Sequence, residues 1–188
     1  MSFLVVDLAV EPVTLLEVKE YSKIETDSED TYLTALITGC RREIETFCKI
    51  ALGPSVFADE YDSWPMDVEG KPLAIWSPRL PVASVAISLI ADDGTPTPIP
   101  QRIGLIKDMG RVRPVDNVAG NSYGPNGMRV LWSVGFGPDT EVLPAQLKDA
   151  LLSLIDYRWA TRGFTNSAEA GIPADLLWRL NPYRAVNV

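Results

Sequence analysis

The chain has 188 residues, a hydrophobic fraction of 46% and a net charge of −8. That length supports one sizeable core, or a core with a small subdomain, and the composition is that of a folded protein. The acidic balance argues against a dedicated grip on nucleic acid, which needs a basic surface to neutralise phosphates, while permitting the wall of a pore past which DNA slides. The chain has no histidine. This removes the commonest general base, the usual Ser or Cys triad and the commonest zinc ligand. No apolar run approaches ~18 residues and no basic-then-apolar leader opens the chain, so neither a membrane span nor a secretion signal is expected. The protein is expected to stay in the cytoplasm where it is made.

Met1 to Glu11 is an apolar lead-in without a clear period. Thr14, with Glu17 three residues later, forms a capping-box pattern and predicts a short helix from Leu15 to about Tyr21. Asp27-Ser28-Glu29-Asp30 predicts the next start, with Asp27 or Ser28 as cap and acids at the positive end of the dipole. Tyr32, Leu33, Leu36, Ile37, Cys40, Ile44, Phe47 and Cys48 then form one apolar stripe, and Gly53-Pro54 sets the end at Leu52. These two helices make a helical hairpin.

Between Gly53 and Pro144 the chain is rich in Pro and Gly. Strands are predicted at Val56–Tyr61, Leu73–Trp76, Val82–Ile90, Ile103–Ile106, Arg111–Arg113 and Met128–Phe136, with Val115–Asn126 as a loop. Val82–Ile90 alternates and is β-branched, and Asp92-Asp93-Gly94 is the turn that closes a hairpin after it. Pro144–Gly163 carries the strongest helix pattern, with Leu147, Ala150, Leu151, Leu154, Ile155 and Trp159 on one face. It is expected to pack on the Tyr32–Cys48 stripe. A short helix at Ala174–Leu180 stops at Asn181-Pro182.

The fold class expected from these elements is α+β: mainly a helical bundle, made of the helical hairpin and the long C-terminal helix, with an inserted small antiparallel β module. The expected division is 1–53 for the hairpin, 54–143 for the β-rich insertion, and 144–188 for the long helix and tail, which pack with 1–53 as one helical domain.

Few residues suggest chemistry. Asp59, Glu60, Asp62, Asp67 and Glu69 form an acidic cluster that could ligate a hard cation, but it lacks the alternation and glycine of a calcium loop. Gly135-Phe136-Gly137-Pro138 has no Lys-Ser/Thr after it and reads as a tight bend, not a phosphate loop. Cys40 and Cys48 lie about 12 Å apart along one helix, too far for a mutual disulfide, and read as small buried hydrophobes. No cofactor and no metal is expected. The polar face with Asp156, Arg158 and Arg162 is a candidate subunit contact or channel wall. The tail around Trp178 is short for a core of its own and rich in the residue types that anchor interfaces.

Several motifs in fixed order resemble the bacteriophage head-to-tail connector, or adaptor, proteins, which also occur in gene transfer agents. These are PVTLLEVKEYSKI with the D-S-E-D-capped helix; Leu80-Pro81-Val82 and Val85-Ala86-Ile87 before Asp92-Asp93-Gly94; Gly135-Phe136-Gly137 and Val142-Leu143-Pro144 before a long helix; and Ile172-Pro173 with Leu180-Asn181-Pro182-Tyr183-Arg184. The resemblance spans about Pro12 to Arg184. It implies a non-enzymatic ring subunit, commonly one of twelve, beneath the portal of a phage-like particle. Such a ring continues the DNA channel without binding DNA specifically, joins the next neck or tail-completion protein, and never meets a membrane. It implies that the C-terminal segment docks on the portal, with Trp178, Leu180, Tyr183 and Arg184 as candidate anchors. Two other functions compete: a metal-dependent hydrolase using the Asp59–Glu69 acids, and a monomeric glycan- or protein-binding module.

Overall fold

The computed structural model describes residues 2–7, 11–98, 103–106, 110–114, 127–137, 140, 142–162 and 171–185. The expected loop at 115–126 and the expected helix stop at Gly163 lie outside the described residues. The elements in chain order are β1 (Ser2–Val6), α1 (Leu15–Ser22), α2 (Asp30–Cys48), β2 (Ser55–Tyr61), β3 (Ile75–Trp76), β4 (Val82–Ile90) and β5 (Pro96–Pro98). They continue with β6 (Ile103–Ile106), β7 (Arg111–Pro114), β8 (Met128–Val134), α3 (Ala145–Ala160) and α4 (Ala174–Leu180).

The helices form where local chemistry and the apolar period agree. At α1 the Thr14 hydroxyl accepts from the Glu17 amide at 3.2 Å while the Thr14 amide donates to the Glu17 carboxylate at 2.8 Å, completing the capping box. α2 starts later than its acidic cluster suggested: Glu29 is the cap residue and no side chain caps it. It also ends earlier, at Cys48, because Lys49 turns left-handed at φ 55°. α3 lays Leu147, Ala150, Leu151, Leu154 and Ile155 against Leu33, Ile37, Cys40, Ile44 and Cys48 of α2 in one buried cluster. Each such large side chain taken fully out of water stabilises the fold by roughly 1.5–3 kcal/mol.

The sheet corrects the expected fold class. The molecule is not mainly a helical bundle with a small β module. A five-stranded antiparallel sheet, in the order β1-β2-β8-β4-β5, is a layer comparable to the helices, and a second sheet orders β3-β7-β6. Along β8, Met128, Val130, Trp132 and Val134 are buried with half-exposed residues between them. They share a cluster with Ile75 of β3 and Val112 of β7, so the smaller sheet packs on the larger. The β4–β5 hairpin closes through Ala91–Gly94 as its turn residues predict, with Gly94 at φ 82° and the Thr95 carbonyl accepting from the Ala91 amide.

The sheet is also not confined to a middle insertion. Ser2–Val6 pairs antiparallel with β2, so the N-terminal lead-in is a strand. Phe136, just past β8, packs instead in the helical cluster, and Leu80 touches both clusters. The bend between β8 and α3 depends on Gly135 at φ 108°, where a Cβ would sit 1.9 Å from the Gly53 carbonyl oxygen. That position needs glycine both for its dihedral and for the close approach.

Candidate assembly surfaces

The acidic cluster disperses in space. Asp59 is buried and accepts from the Trp132 indole N–H at 3.0 Å. Glu60 takes the Arg129 guanidinium at 2.7 Å across the strand pair. Asp67 accepts from the backbone amides of Glu69 and Lys71, and so closes a turn, while Glu69 pairs with Lys71. Among the described residues no group of three or more His, Cys, Asp or Glu side chains comes together as a metal site. The cluster therefore has structural employment at four of its five positions.

The C-terminal tail folds back on the body. Leu176 and Leu180 are buried in the cluster of α2 and α3, the latter with 0% exposure. The Ala185 amide donates to the Cys48 carbonyl at 2.8 Å, and the Arg184 guanidinium lies 5.3 Å from the Phe47 ring centre. Tyr183 donates to Gln146 and Arg179 pairs with Asp149 at 2.9 Å. Leu180 thus lies inside the chain's own core, contrary to its expected place as a free anchor. Trp178 points out at 78% exposure. An open groove of about 630 Å3 is lined by Gln146, Asp149, Arg179, Pro182 and Tyr183. Tyr183 sits against Gln146 at the start of α3 and Arg184 over Phe47 near the end of α2.

The polar face of α3 is tied into the fold. Arg158 reaches Glu43 of α2 at 3.0 Å and the Gly171 carbonyl at 3.2 Å. Arg162 pairs with Glu29 at 2.9 Å and covers the Trp159 ring at 3.8 Å from its centre. Asp156 is half-buried. Other cations are held in the same manner: Lys19 by Asp27 and Asp30, Arg42 by Asp7, and Lys148 by Glu17. The Lys148 ammonium holds the Glu17 carboxyl below its ordinary value. Internal pairing leaves these groups less able to bind phosphates than lone cations would be.

Arg41 of α2 is the one buried cation among the described residues. It bonds Glu11 at 2.8 Å, Glu45 at 3.1 Å and Asp7 at 3.4 Å, tying the end of β1 to α2. Burial opposes its charge, yet Glu45, Glu11 and Asp7 more than offset this and raise its pKa. Burial raises Glu45 as well, against the Leu52 amide and Arg41, which favour the carboxylate.

Sequence reasoning missed the edge strand β1. Phe3, Leu4, Val5 and Val6 are each between 43% and 53% exposed, consecutively, on the end strand of the larger sheet. The signal was present as an unbroken apolar, β-branched run. It lacked alternation because both faces of the strand are apolar and wet.

The class the fold defines is α+β: a five-stranded antiparallel sheet and a smaller three-stranded one, packed with the buried cluster of α2, α3 and α4. The family model described as phage gp6-like head-tail connector protein matches residues 12–75. A chain of a structure described as the neck of an empty GTA particle, computed with C6 symmetry, superposes with a TM-score of 0.79 at 21% identity, covering 100% of this chain and 97% of that one. A chain from a virion of a native gene transfer agent particle gives 0.76 at 23% identity, with the same coverage. One from the neck of a native GTA particle, computed with C12 symmetry, gives 0.70 at 24% identity and covers 99% and 97%. A comparison with curated protein sequences found no match. The sequence resemblance to head-tail connector proteins covers residues 12–75, and the fold of the whole chain is similar to that of chains from GTA neck and virion particles.

Proposed function

We propose that this chain is a structural head-tail connector subunit of a phage-like particle, acting without catalysis. Copies form a ring beneath the portal, twelve being the number the resemblance implies. The ring continues the DNA channel and carries the next neck or tail-completion protein, so the protein's place is the virion neck. The observation that carries this reading is the whole-chain superposition on a neck protein, joined by the connector-family match at residues 12–75. The acidic balance and the internally paired Arg158 and Arg162 suit a wall that must let DNA pass. Trp178, Tyr183 and Arg184 form the portal-facing contact in this reading, and Asp156, Arg158 and Arg162 lie on the face offered to neighbouring subunits or the channel. Deleting the gene tests the proposal. Filled heads that lack tails are expected, with tails restored by the wild-type chain supplied in trans; normal tailed particles from the deletion strain would overturn it.

A further inference from the structure

Val13 is the first described residue of the chain to be buried, in the cluster that α2 and α3 share. The strand before it is held differently. None of Phe3, Leu4, Val5 and Val6 joins either buried cluster. Among the described residues β2 is the one strand that pairs with β1, and their ladder is interrupted where the register shifts between Leu4 and Val6.

Past the end of the strand, two carboxylates fasten it to α2. Asp7 accepts from Arg42 at 2.8 Å and from both terminal nitrogens of Arg41 at 3.4 Å. Glu11 accepts from the Arg41 Nε and from the Thr38 hydroxyl, each at 2.8 Å. The body side of this contact is satisfied without them. Arg41 has Glu45 on its own helix at 3.1 Å, Glu45 also accepts from the Leu52 amide at 2.9 Å, and the Thr38 hydroxyl lies 3.4 Å from the Thr34 carbonyl. A buried pair is costly to break because one charge is left alone in a dry site. Here, breaking the Asp7 and Glu11 contacts leaves Arg41 paired and opens it to water. The sheet keeps β2-β8-β4-β5, and both buried clusters keep every member.

We infer that β1 is a releasable strap: it leaves β2 as a unit while both buried clusters stay intact, and Asp7 and Glu11 on Arg41 and Arg42 are the latch that keeps it shut. On opening, the backbone of β1 and its half-wet apolar side chains regain water. The charge-assisted bonds of the latch exist in the closed state alone, so they set how often the strap opens. The open state bares the outer edge of β2. The chain thus has a second folded state that differs from the first at one strand.

The test is native-state hydrogen exchange of the full chain in urea below its unfolding midpoint, read by mass spectrometry on peptides covering β1 and β8. β1 is expected to exchange at least about tenfold faster than β8, with less than about half its urea dependence, because the opening exposes little surface. Asp7→Asn combined with Glu11→Gln keeps both side-chain shapes and removes the charges. It should speed β1 exchange by at least about tenfold. Leu180→Ala weakens a cluster that stays folded whether the strap is open or shut. It should speed β8 exchange by at least about tenfold and leave β1 within about twofold of wild type. Three results would each overturn the inference: β1 and β8 exchanging with the same rate and urea dependence, β1 speeding up together with β8 in Leu180→Ala, or β1 unmoved by the double substitution.

Discussion

Leu180→Ala and Trp178→Ala lie two positions apart in the same short helix and should have opposite consequences. Leu180 has 0% exposure and sits among Cys48, Leu176 and the α3 face. Removing its isobutyl group loses the transfer free energy and leaves a cavity, for a cost of about 3 kcal/mol. For a chain of this size that lowers Tm by roughly 6–12 °C. Trp178 is 78% exposed, so its truncation should change stability by no more than about 0.5 kcal/mol. As the centre of a portal contact, though, Trp178→Ala should cost about 2 kcal/mol of binding, roughly thirtyfold in Kd. Thermal unfolding followed by circular dichroism, with binding to purified portal measured in parallel, separates the two effects. A Leu180→Ala Tm shift below about 2 °C would show that the tail is not part of the core. A Trp178→Ala protein that binds the portal normally would remove Trp178 from the contact.

Arg41→Ala leaves Glu45 without its buried partner, and the breaking of such a pair costs roughly 3–5 kcal/mol. Urea unfolding should show that loss, and a change below about 1 kcal/mol would mean that Asp7, Glu11 and Glu45 rehydrate freely. Gly135→Ala forces a Cβ onto the Gly53 carbonyl at a positive φ, so insoluble protein or a Tm lower by at least about 6 °C is expected; a Tm within 2 °C of wild type would contradict the tight bend. Burial pushes the Cys40 thiol up to about 12, with Glu43 adding to it, and the Cys48 thiol up to about 11. Native protein at pH 8 should therefore resist iodoacetamide, with any residual rate climbing about tenfold per pH unit while the fold holds, and both thiols should react at once in urea. Labelling of native protein at the rate of free cysteine would contradict the burial of both groups.

The parts legible in the sequence were those in which one local rule decided the outcome. The capping box at Thr14 and Glu17, the α3 stripe and the alternation of β4 each need only their own residues. The fold class was misjudged because the sheet draws on segments that carry weak local signals. β1 has no alternation to detect and its partner β2 lies some fifty residues on, while β5 is two prolines around Thr97 and carries no strand pattern of its own. The end of α2 was misplaced because Lys49 takes a left-handed conformation that side-chain-bearing residues seldom adopt. Leu180 was assigned to a partner because nothing near it in sequence supplies a core; α2 and α3 supply it from afar. Of the candidate contact residues, Trp178 stands exposed, while Arg158 and Arg162 have partners on α2 and beside its start.

In the proposed function, copies of this chain build a ring in the neck of a particle. A symmetry-free reconstruction of that neck by electron cryomicroscopy tests it most directly. A closed ring of copies directly beneath the portal is expected, with the five-stranded sheet and the α2–α3 pair recognisable in each and Trp178 at the portal side. A complete neck whose density is filled by other chains, with no ring of this fold, would contradict it.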